Sequence, residues 1–500
     1  MEKNKVNKKF KKININLIKS HQKPNQNLLL KASKKSIYKV IYIFIGLFTL
    51  MMGYFTYFLV AKSDEVINST YNTRQQILVK KVVRGEIMSA DDQVLAKTVT
   101  DKDGNETRKY PYGDIYAHVV GRLLNGRSGL EETENIRLLT SNVNTVEKIK
   151  NDMSGEKSIG DNVVTTLDSK LQKAAYDALG NYRGAVVVME SATGKVLAMV
   201  SKPAYDPNKI ESLWDEIVKD KGNKSTLLNR ATQGRYPPGS TFKTLTALEY
   251  IRENPSYKSY KYNCNGSIEC DGMVIHCYGN EKHGNMDLPL SYAKSCNTSF
   301  ASIGKTLNPR SFHDLCEDFL FNTSLKVEMT SKQSSFTLDK GNSSVKEAMQ
   351  TAIGQGKTLI TPLHNALIAS TVANGGVMMK PYVVDYIENA EKGTVEKYLP
   401  KKMAAPMTSE EADYIGMMMR KVVTDGTGKK LKDLKVKAAG KTGSADQNKG
   451  KAHAWFIGYA PYDKPQIAIS VIVENAGTGG SYAVPIAKKV INAYFNSGNR

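Results

Sequence analysis

Ser240 and Lys243 stand three residues apart just behind the turn Pro237-Pro238-Gly239, and they are the pair in this 500-residue chain best suited to covalent chemistry. Pro and Gly in that order make a tight turn. Leu245, Leu248 and Ile251 then recur at helical spacing, which predicts a helix over 241–251 with Ser240 at its start. Residues three apart share a helix face, so Lys243 lies on the same side as Ser240. A serine hydroxyl is a poor nucleophile until a neighbouring base takes its proton. A lysine in a partly dry site is such a base, because desolvation lowers its pKa. The S-x-x-K spacing also recurs at Ser20, Ser36, Ser154, Ser291, Ser302 and Ser343, so the tetrapeptide alone is a weak signal in a lysine-rich chain. Two later elements single out the Ser240 copy: Ser295-Cys296-Asn297, and Lys441-Thr442-Gly443, the sole K-T-G of the sequence. Taken one at a time, Ser295 and Asn297 also suit a helix cap, and 440–443 a plain turn. Their joint occurrence, in order, behind the Pro-Pro-Gly turn argues for one site.

The three elements together resemble the S-x-x-K, S-x-N and K-T-G set of penicillin-binding proteins and serine β-lactamases. The whole pattern resembles a class B penicillin-binding protein, a monofunctional D,D-transpeptidase of bacterial cell-wall synthesis. That resemblance implies a substrate stem peptide ending in D-Ala-D-Ala, an acyl-serine intermediate on Ser240 and acylation by β-lactams. It implies Lys243 as general base, Ser295 as proton relay to the leaving amine, and Asn297 as a bridge between Lys243 and the substrate backbone. Lys441 and Thr442 would hold the terminal carboxylate. Gly443 would leave room for the substrate, and the backbone N–H groups of Ser240 and Ser444 would form an oxyanion hole. No cofactor is implied. Class B proteins commonly work beside a multi-spanning membrane glycosyltransferase, so that enzyme is an expected partner, along with stem peptides and lipid-linked glycan strands.

Other parts of the chain carry the same resemblance. Arg84-Gly85-Glu86-Ile87, Tyr110-Pro111-Tyr112, Gly121 and Gly129-Leu130-Glu131 resemble, in order, the pedestal of class B proteins, here short for the family. Gly354-Gln355-Gly356, Thr361-Pro362-Leu363 and Ala454-Trp455-Phe456-Ile457-Gly458-Tyr459 resemble elements of its catalytic domain. Against a bifunctional class A protein stands the lack of room, and of an E-D-x-x-F motif, before residue 160. A β-lactamase needs a base that activates water, and no acidic residue is assignable to that role from sequence. A D,D-carboxypeptidase uses the same three motifs and differs only by the pedestal. A scaffold that activates a polymerase without chemistry of its own is disfavoured, because every catalytic residue type is present.

The positioning elements follow from pattern. The run 40–61 lacks charge and is long enough to span a bilayer. Residues 1–39 hold twelve lysines and one glutamate, about half of the net charge of +21, which by the positive-inside rule keeps that end cytoplasmic and the rest of the chain outside. No aromatic-basic binding module accompanies the charge, so nucleic acid is not an expected partner. Residues 62–159 are expected as the pedestal and 160–500 as the catalytic domain. There, apolar runs over 184–189 and 195–200 read as a hairpin, and 436–444, 454–459 and 467–474 as three late strands. A helix over 484–495 closes the chain, and the middle, 240–435, reads as mostly helical. Two early and three late strands predict an α+β fold, one antiparallel sheet covered by helices with an inserted helical subdomain. Cys264, Cys270, Cys277 and His283 cluster in sequence, yet lack the paired C-x-x-C spacing of structural zinc sites, so no metal is expected. A Cys264–Cys277 disulfide is an open alternative, and Cys296 reads as a small packing residue.

Overall fold

The computed structural model describes residues 26–62, 74–219, 225–339, 341, 343–446 and 450–496. Contacts divide the chain into two units, Met1–Ser69 and Thr70–Arg500. In the first, one helix spans Gln26–Ala61, and its stretch Lys34–Ala61 is long and apolar enough to cross a membrane. The helix starts well before the apolar run that marks it in sequence, since Lys31, Lys34 and Lys35 are good helix formers. Much of the basic tail, residues 1–25, lies outside the described residues.

The second unit is built around a five-stranded antiparallel sheet. Its strands are β1 (Gly184–Glu190), β2 (Val196–Lys202), β3 (Ala439–Ala445), β4 (His453–Ala460) and β5 (Ile467–Val473). They run in the order β3-β4-β5-β1-β2, so the strand carrying Lys441-Thr442-Gly443 is an edge. Both faces are covered, which is why the strands read as nearly continuous apolar runs. One face buries Val186, Val188, Phe456 and Val471 with α1 (Ser169–Leu179) and the C-terminal helix Ala483–Asn496. The other face buries Val187, Trp455 and Ile472 with the rest of the helical layer. In that layer are α2 (Lys243–Glu253), α3 (Asn297–Thr306) and α4 (Pro362–Ala373), of which α4 lies directly on the sheet. This is the expected α+β arrangement.

The middle of the chain is less uniformly helical than its sequence reads. Its described residues contain three small antiparallel pairs, Tyr262–Cys264 with Gly284–Met286, Ser267–Cys270 with Met273–His276, and Met378–Met379 with Lys402–Ala404. It also supplies Val384–Glu388 to a second, six-stranded sheet. There Val384–Glu388 pairs with Asn162–Thr165, which runs parallel to Ile87–Met88. That sheet therefore takes strands from both sides of residue 160. Short strands of mixed polarity carry too little period-two signal to stand out in a helical context.

Candidate active site

The chain reaches Ser240 through a locked turn. The Trp455 indole N–H donates to the Pro237 carbonyl at 3.1 Å, the Gly239 N–H donates to the Gly354 carbonyl, and the Thr241 hydroxyl donates to the Pro238 carbonyl. Gly239 has φ +53°, and a Cβ there would sit 2.7 Å from the Ser444 carbonyl oxygen. Glycine is therefore required by conformation and by the close approach to β3. Residues Gly239–Phe242 form a single 3-10 turn, and the α-helix proper begins at Lys243, two residues later than the predicted start. Ser240 is thus held at the junction of turn and helix, facing the edge strand.

Lys243 is fully buried. Its ammonium donates to the Ser295 carbonyl at 2.8 Å and to Asn297 Oδ1 at 2.8 Å, with Ser295 Oγ at 3.4 Å. Burial pulls its pKa down to about 8, against a smaller opposing pull from the thiols of Cys296 and Cys277. Lys441 is also fully buried. Its ammonium donates to Ser295 Oγ at 2.8 Å and to the Thr442 carbonyl at 3.0 Å. Desolvation first, and then the charge of Lys243, hold its pKa well below the ordinary lysine value. Ser295 therefore sits between the two amines. It has φ +56°, an uncommon conformation for a non-glycine residue. Cys296 caps the helix that follows, its sulfur accepting from the Ser299 N–H, so Ser295 is lifted out of the helix while Asn297 becomes its first residue. The other end of Asn297 is also fixed: its Nδ2 donates to the His276 carbonyl at 2.9 Å.

These groups line one cleft of about 740 Å³. Ser240, Ser295, Asn297, Thr442, Gly443 and Ser444 all contribute to its wall, with Lys243 and Lys441 behind them. The structure brings together all eight residues singled out in the sequence. It also brings to the cleft residues that the sequence did not assign to it. The Thr442 hydroxyl is hydrogen-bonded to that of Thr427. Gln355 and Asp446 line the cleft, with Gln355 Nε2 3.4 Å from Asp446 Oδ2 and the Asp446 carboxyl pushed up by desolvation. His276, Cys277, Glu281 and His283 form part of the wall. Thr427 and Asp446 carry no spacing signal of their own, and only β3 brings them near. A Cβ on Gly443 would lie 3.1 Å from the Pro238 carbonyl, Thr241 and Trp455, so its missing side chain lets β3 pack closely against the serine turn where it lines the cleft. The five cysteines are free, with Cys264 and Cys277 sulfurs 3.7 Å apart rather than bonded.

A serine hydroxyl on the cleft wall with a desolvated lysine three residues on, a second hydroxyl between two amines, and an open strand edge are equipped for acyl transfer to and from a serine. Comparison with known proteins gives the same answer. The family profile of the penicillin-binding protein transpeptidase domain matches residues 184–492, and that of the penicillin-binding protein A dimerisation domain matches residues 84–163. The chain is 31% identical to the peptidoglycan D,D-transpeptidase PbpA of Mycolicibacterium smegmatis, over 83% of this chain and 90% of the relative. It is 32% identical to PbpA of Mycobacterium tuberculosis, over 82% and 88%. Among solved structures, the imipenem acyl-enzyme complex of penicillin-binding protein A from M. tuberculosis superposes with a TM-score of 0.77 at 28% identity, covering 84% of this chain and 100% of that one. The D,D-transpeptidase domain of a peptidoglycan glycosyltransferase from Eggerthella lenta gives 0.76 at 28% identity, covering 82% and 98%. The edge-strand K-T-G, the buried lysine pair around Ser295 and the matching pedestal together show that the chain belongs to the penicillin-binding proteins, in their class B branch.

Proposed function

We propose that this chain is a peptidoglycan D,D-transpeptidase that works through an acyl-Ser240 intermediate and is acylated there by β-lactams. The observation that carries the reading is the placement of Lys243, dry and one turn from Ser240, with its ammonium on the Ser295 carbonyl and Asn297 Oδ1. In its neutral form Lys243 takes the Ser240 proton as Oγ attacks the carbonyl of the penultimate D-Ala. The new oxyanion is held by the N–H groups of Ser240 and Ser444. Ser295, hydrogen-bonded to Lys441, passes a proton to the departing D-Ala amine and is reprotonated by Lys243, whose ammonium lies 3.4 Å from its Oγ. An amine of a neighbouring stem then attacks the ester, and the proton that this amine loses returns to Ser240 Oγ.

Lys441 is buried beside the cation Lys243, which is costly in free protein. The substrate's terminal carboxylate, received by Lys441 and Thr442, supplies the missing counter-charge. A peptide laid along β3 gains backbone hydrogen bonds from the open edge. The apolar helix anchors the chain in the membrane, with the basic end cytoplasmic and the catalytic domain outside. A multi-spanning glycosyltransferase that makes the glycan strands is the partner that the class B pattern supports.

Hydrolysis is the second reading, because Asp446 places a carboxyl on the cleft wall where a water can be activated. One experiment addresses both. A fluorescent penicillin should label Ser240 once per chain, with the adduct mapped by mass spectrometry, and Ser240→Ala should abolish labelling in a folded protein. After a chase with unlabelled drug the adduct should persist. A label on another serine would overturn the assignment, and rapid multiple turnovers would make the protein a β-lactamase-like hydrolase.

A further inference from the structure

The catalytic cleft shares Lys429 and Lys430 with a second groove of about 510 Å³, so the two cavities meet at that pair. Lys488, Lys489 and Asp433 line the rest of the groove, with Pro485. Four lysines thus surround one aspartate. Lys488 neutralises it, its ammonium lying 2.6 and 2.7 Å from the two carboxylate oxygens. Lys429, Lys430 and Lys489 are exposed and stand in no ion pair among the described residues. The lysines are held in place from two directions. In the loop after the helix Ser409–Thr424, the Thr427 N–H donates to the Ala293 carbonyl at 3.3 Å, and a Cβ on Gly426 would lie 2.1 Å from the same oxygen. Leu431 is buried under the sheet's outer helices, so the 3-10 turn Lys429–Leu431 points its two lysines outward. Lys488 and Lys489 come from the C-terminal helix, whose neighbouring Ile486, Ala487, Val490 and Ile491 are packed in that core. A groove lined by charge of one sign concentrates ligands of the other.

The place of the groove along the cleft says which ligand that is. In the transpeptidase reading, on which this inference rests, the scissile carbonyl lies at the N–H groups of Ser240 and Ser444, and the departing D-Ala carboxylate lies at Lys441 and Thr442. The donor chain therefore runs toward Ser444 and Asp446, and the leaving group toward Thr442. The Thr427 hydroxyl is bonded to that of Thr442 on this leaving side, and Lys429 and Lys430 follow two and three residues on. Attack of an amine on acyl-Ser240 is the reverse of D-Ala departure with a different amine. The incoming nitrogen takes the place that the leaving nitrogen vacated, and its chain extends along the leaving side. We propose that Lys429, Lys430 and Lys489 form an acceptor subsite that receives the carboxylate of the incoming stem peptide. In the step it serves, the acceptor nitrogen bonds to the ester carbonyl carbon, the bond from that carbon to Ser240 Oγ breaks, and the proton lost by the nitrogen returns to Oγ. A stem that still carries its terminal carboxylate is an anionic peptide, and the unpaired ammonium groups complement it. Each exposed pair adds little alone, but several along one groove steer and orient the peptide. Water gains nothing from them, so the groove favours cross-linking of the acyl-enzyme over its hydrolysis.

The test uses the full-length protein in detergent, with an acyl-D-Ala thioester as donor. The acceptors are two short peptides with one free side-chain amine, one ending in a carboxylate and the other in a carboxamide. Chromatography gives the ratio of aminolysis to hydrolysis. Both products leave the same acyl-enzyme, so the ratio does not depend on how fast Ser240 is acylated. At low salt the wild-type protein should use the carboxylate acceptor about fivefold better than the carboxamide. That preference should shrink as salt rises from 0.1 to 1 M and the screening length falls from about 10 to about 3 Å. Lys429→Glu combined with Lys430→Glu should abolish or reverse it, and Lys489→Glu alone should reduce it. A folding defect would lower use of both acceptors together without changing their ratio. If the double variant is unstable, Lys489→Glu and the salt dependence of the wild type still decide. Equal use of the two acceptors by the wild type at low salt, or an unchanged preference in the folded variants, would overturn the subsite. Failure to form any acyl-enzyme on Ser240 would instead sink the transpeptidase reading, so the two failures are told apart.

Discussion

At the residue scale, the site turns on one amine whose lowered pKa leaves part of it neutral near neutral pH. A lysine in water is almost wholly protonated at pH 7 and is no base. Burial brings Lys243 down to about 8, and in the proposed mechanism its neutral form takes the Ser240 proton. The sign follows: the acylation rate should climb as pH rises through about 8 and then level, as read from fluorescent-penicillin labelling across pH. Lys243→Ala should slow acylation by roughly 10²–10⁴-fold, the usual worth of a positioned base. Lys243→Arg should be no better, since a guanidinium keeps its proton and cannot serve as base. A rate independent of pH in this range would remove Lys243 from the role.

At the element scale, three residues of the pedestal motifs, Arg84, Tyr110 and Glu131, meet in one buried cluster with Arg108 and Asn135. Arg84 Nε donates to Glu131 Oε2 and Arg108 Nε to Glu131 Oε1, both at 2.7 Å. Arg84 also donates to Asn135 Oδ1, and the Tyr110 hydroxyl donates to Glu131 Oε1. The cluster ties Arg84 and the strand Glu106–Lys109 to the helical turn Leu130–Thr133. Burial pushes the Glu131 carboxyl up, but Arg108 and Arg84 outweigh it and hold the pKa below the ordinary value. The stabilisation is therefore present above about pH 4.3, the unfolded value, and is lost as pH falls through the lower folded one. Glu131→Gln leaves two buried guanidiniums without a counter-charge and should cost about 3–5 kcal/mol. Tyr110→Phe should cost only about 1 kcal/mol. Urea unfolding of both variants checks the contrast, and equal effects would refute it.

At the scale of the whole molecule, one apolar helix follows a lysine-rich end and precedes the catalytic unit. The charge bias orients such a helix with its lysines in the cytoplasm. A phosphatase reporter that is active only outside the membrane, fused after Arg500, should therefore be active in cells. A fluorescent reporter that matures only in the cytoplasm should stay dark there. The reverse pair of results would place the active site on the wrong side for cell-wall substrates.

How much of this was legible in the sequence depended on how local each signal is. The serine turn, the K-T-G strand, the apolar span and the five sheet strands are short-range patterns of type and period, and all were readable. Both faces of the sheet are covered, so its strands announce themselves as apolar runs. The helix start at Lys243 and the strand at Val384–Glu388 were misplaced or missed, because a 3-10 turn and a mixed-polarity strand leave no periodic trace. The packing of Gly443 on Pro238 and Thr241 has no local signal either, because that turn lies some two hundred residues earlier. The meeting of Cys264, Cys277, His283 and Cys296, with one donor atom from each within 4.8 Å of all the others, has the same cause. By itself the sequence determined which residue types were available and in what order. Only the tertiary structure decided which of them share a dry cavity, and burial and distance, rather than spacing, set the proton affinity of Lys243 and the geometry of the thiol cluster.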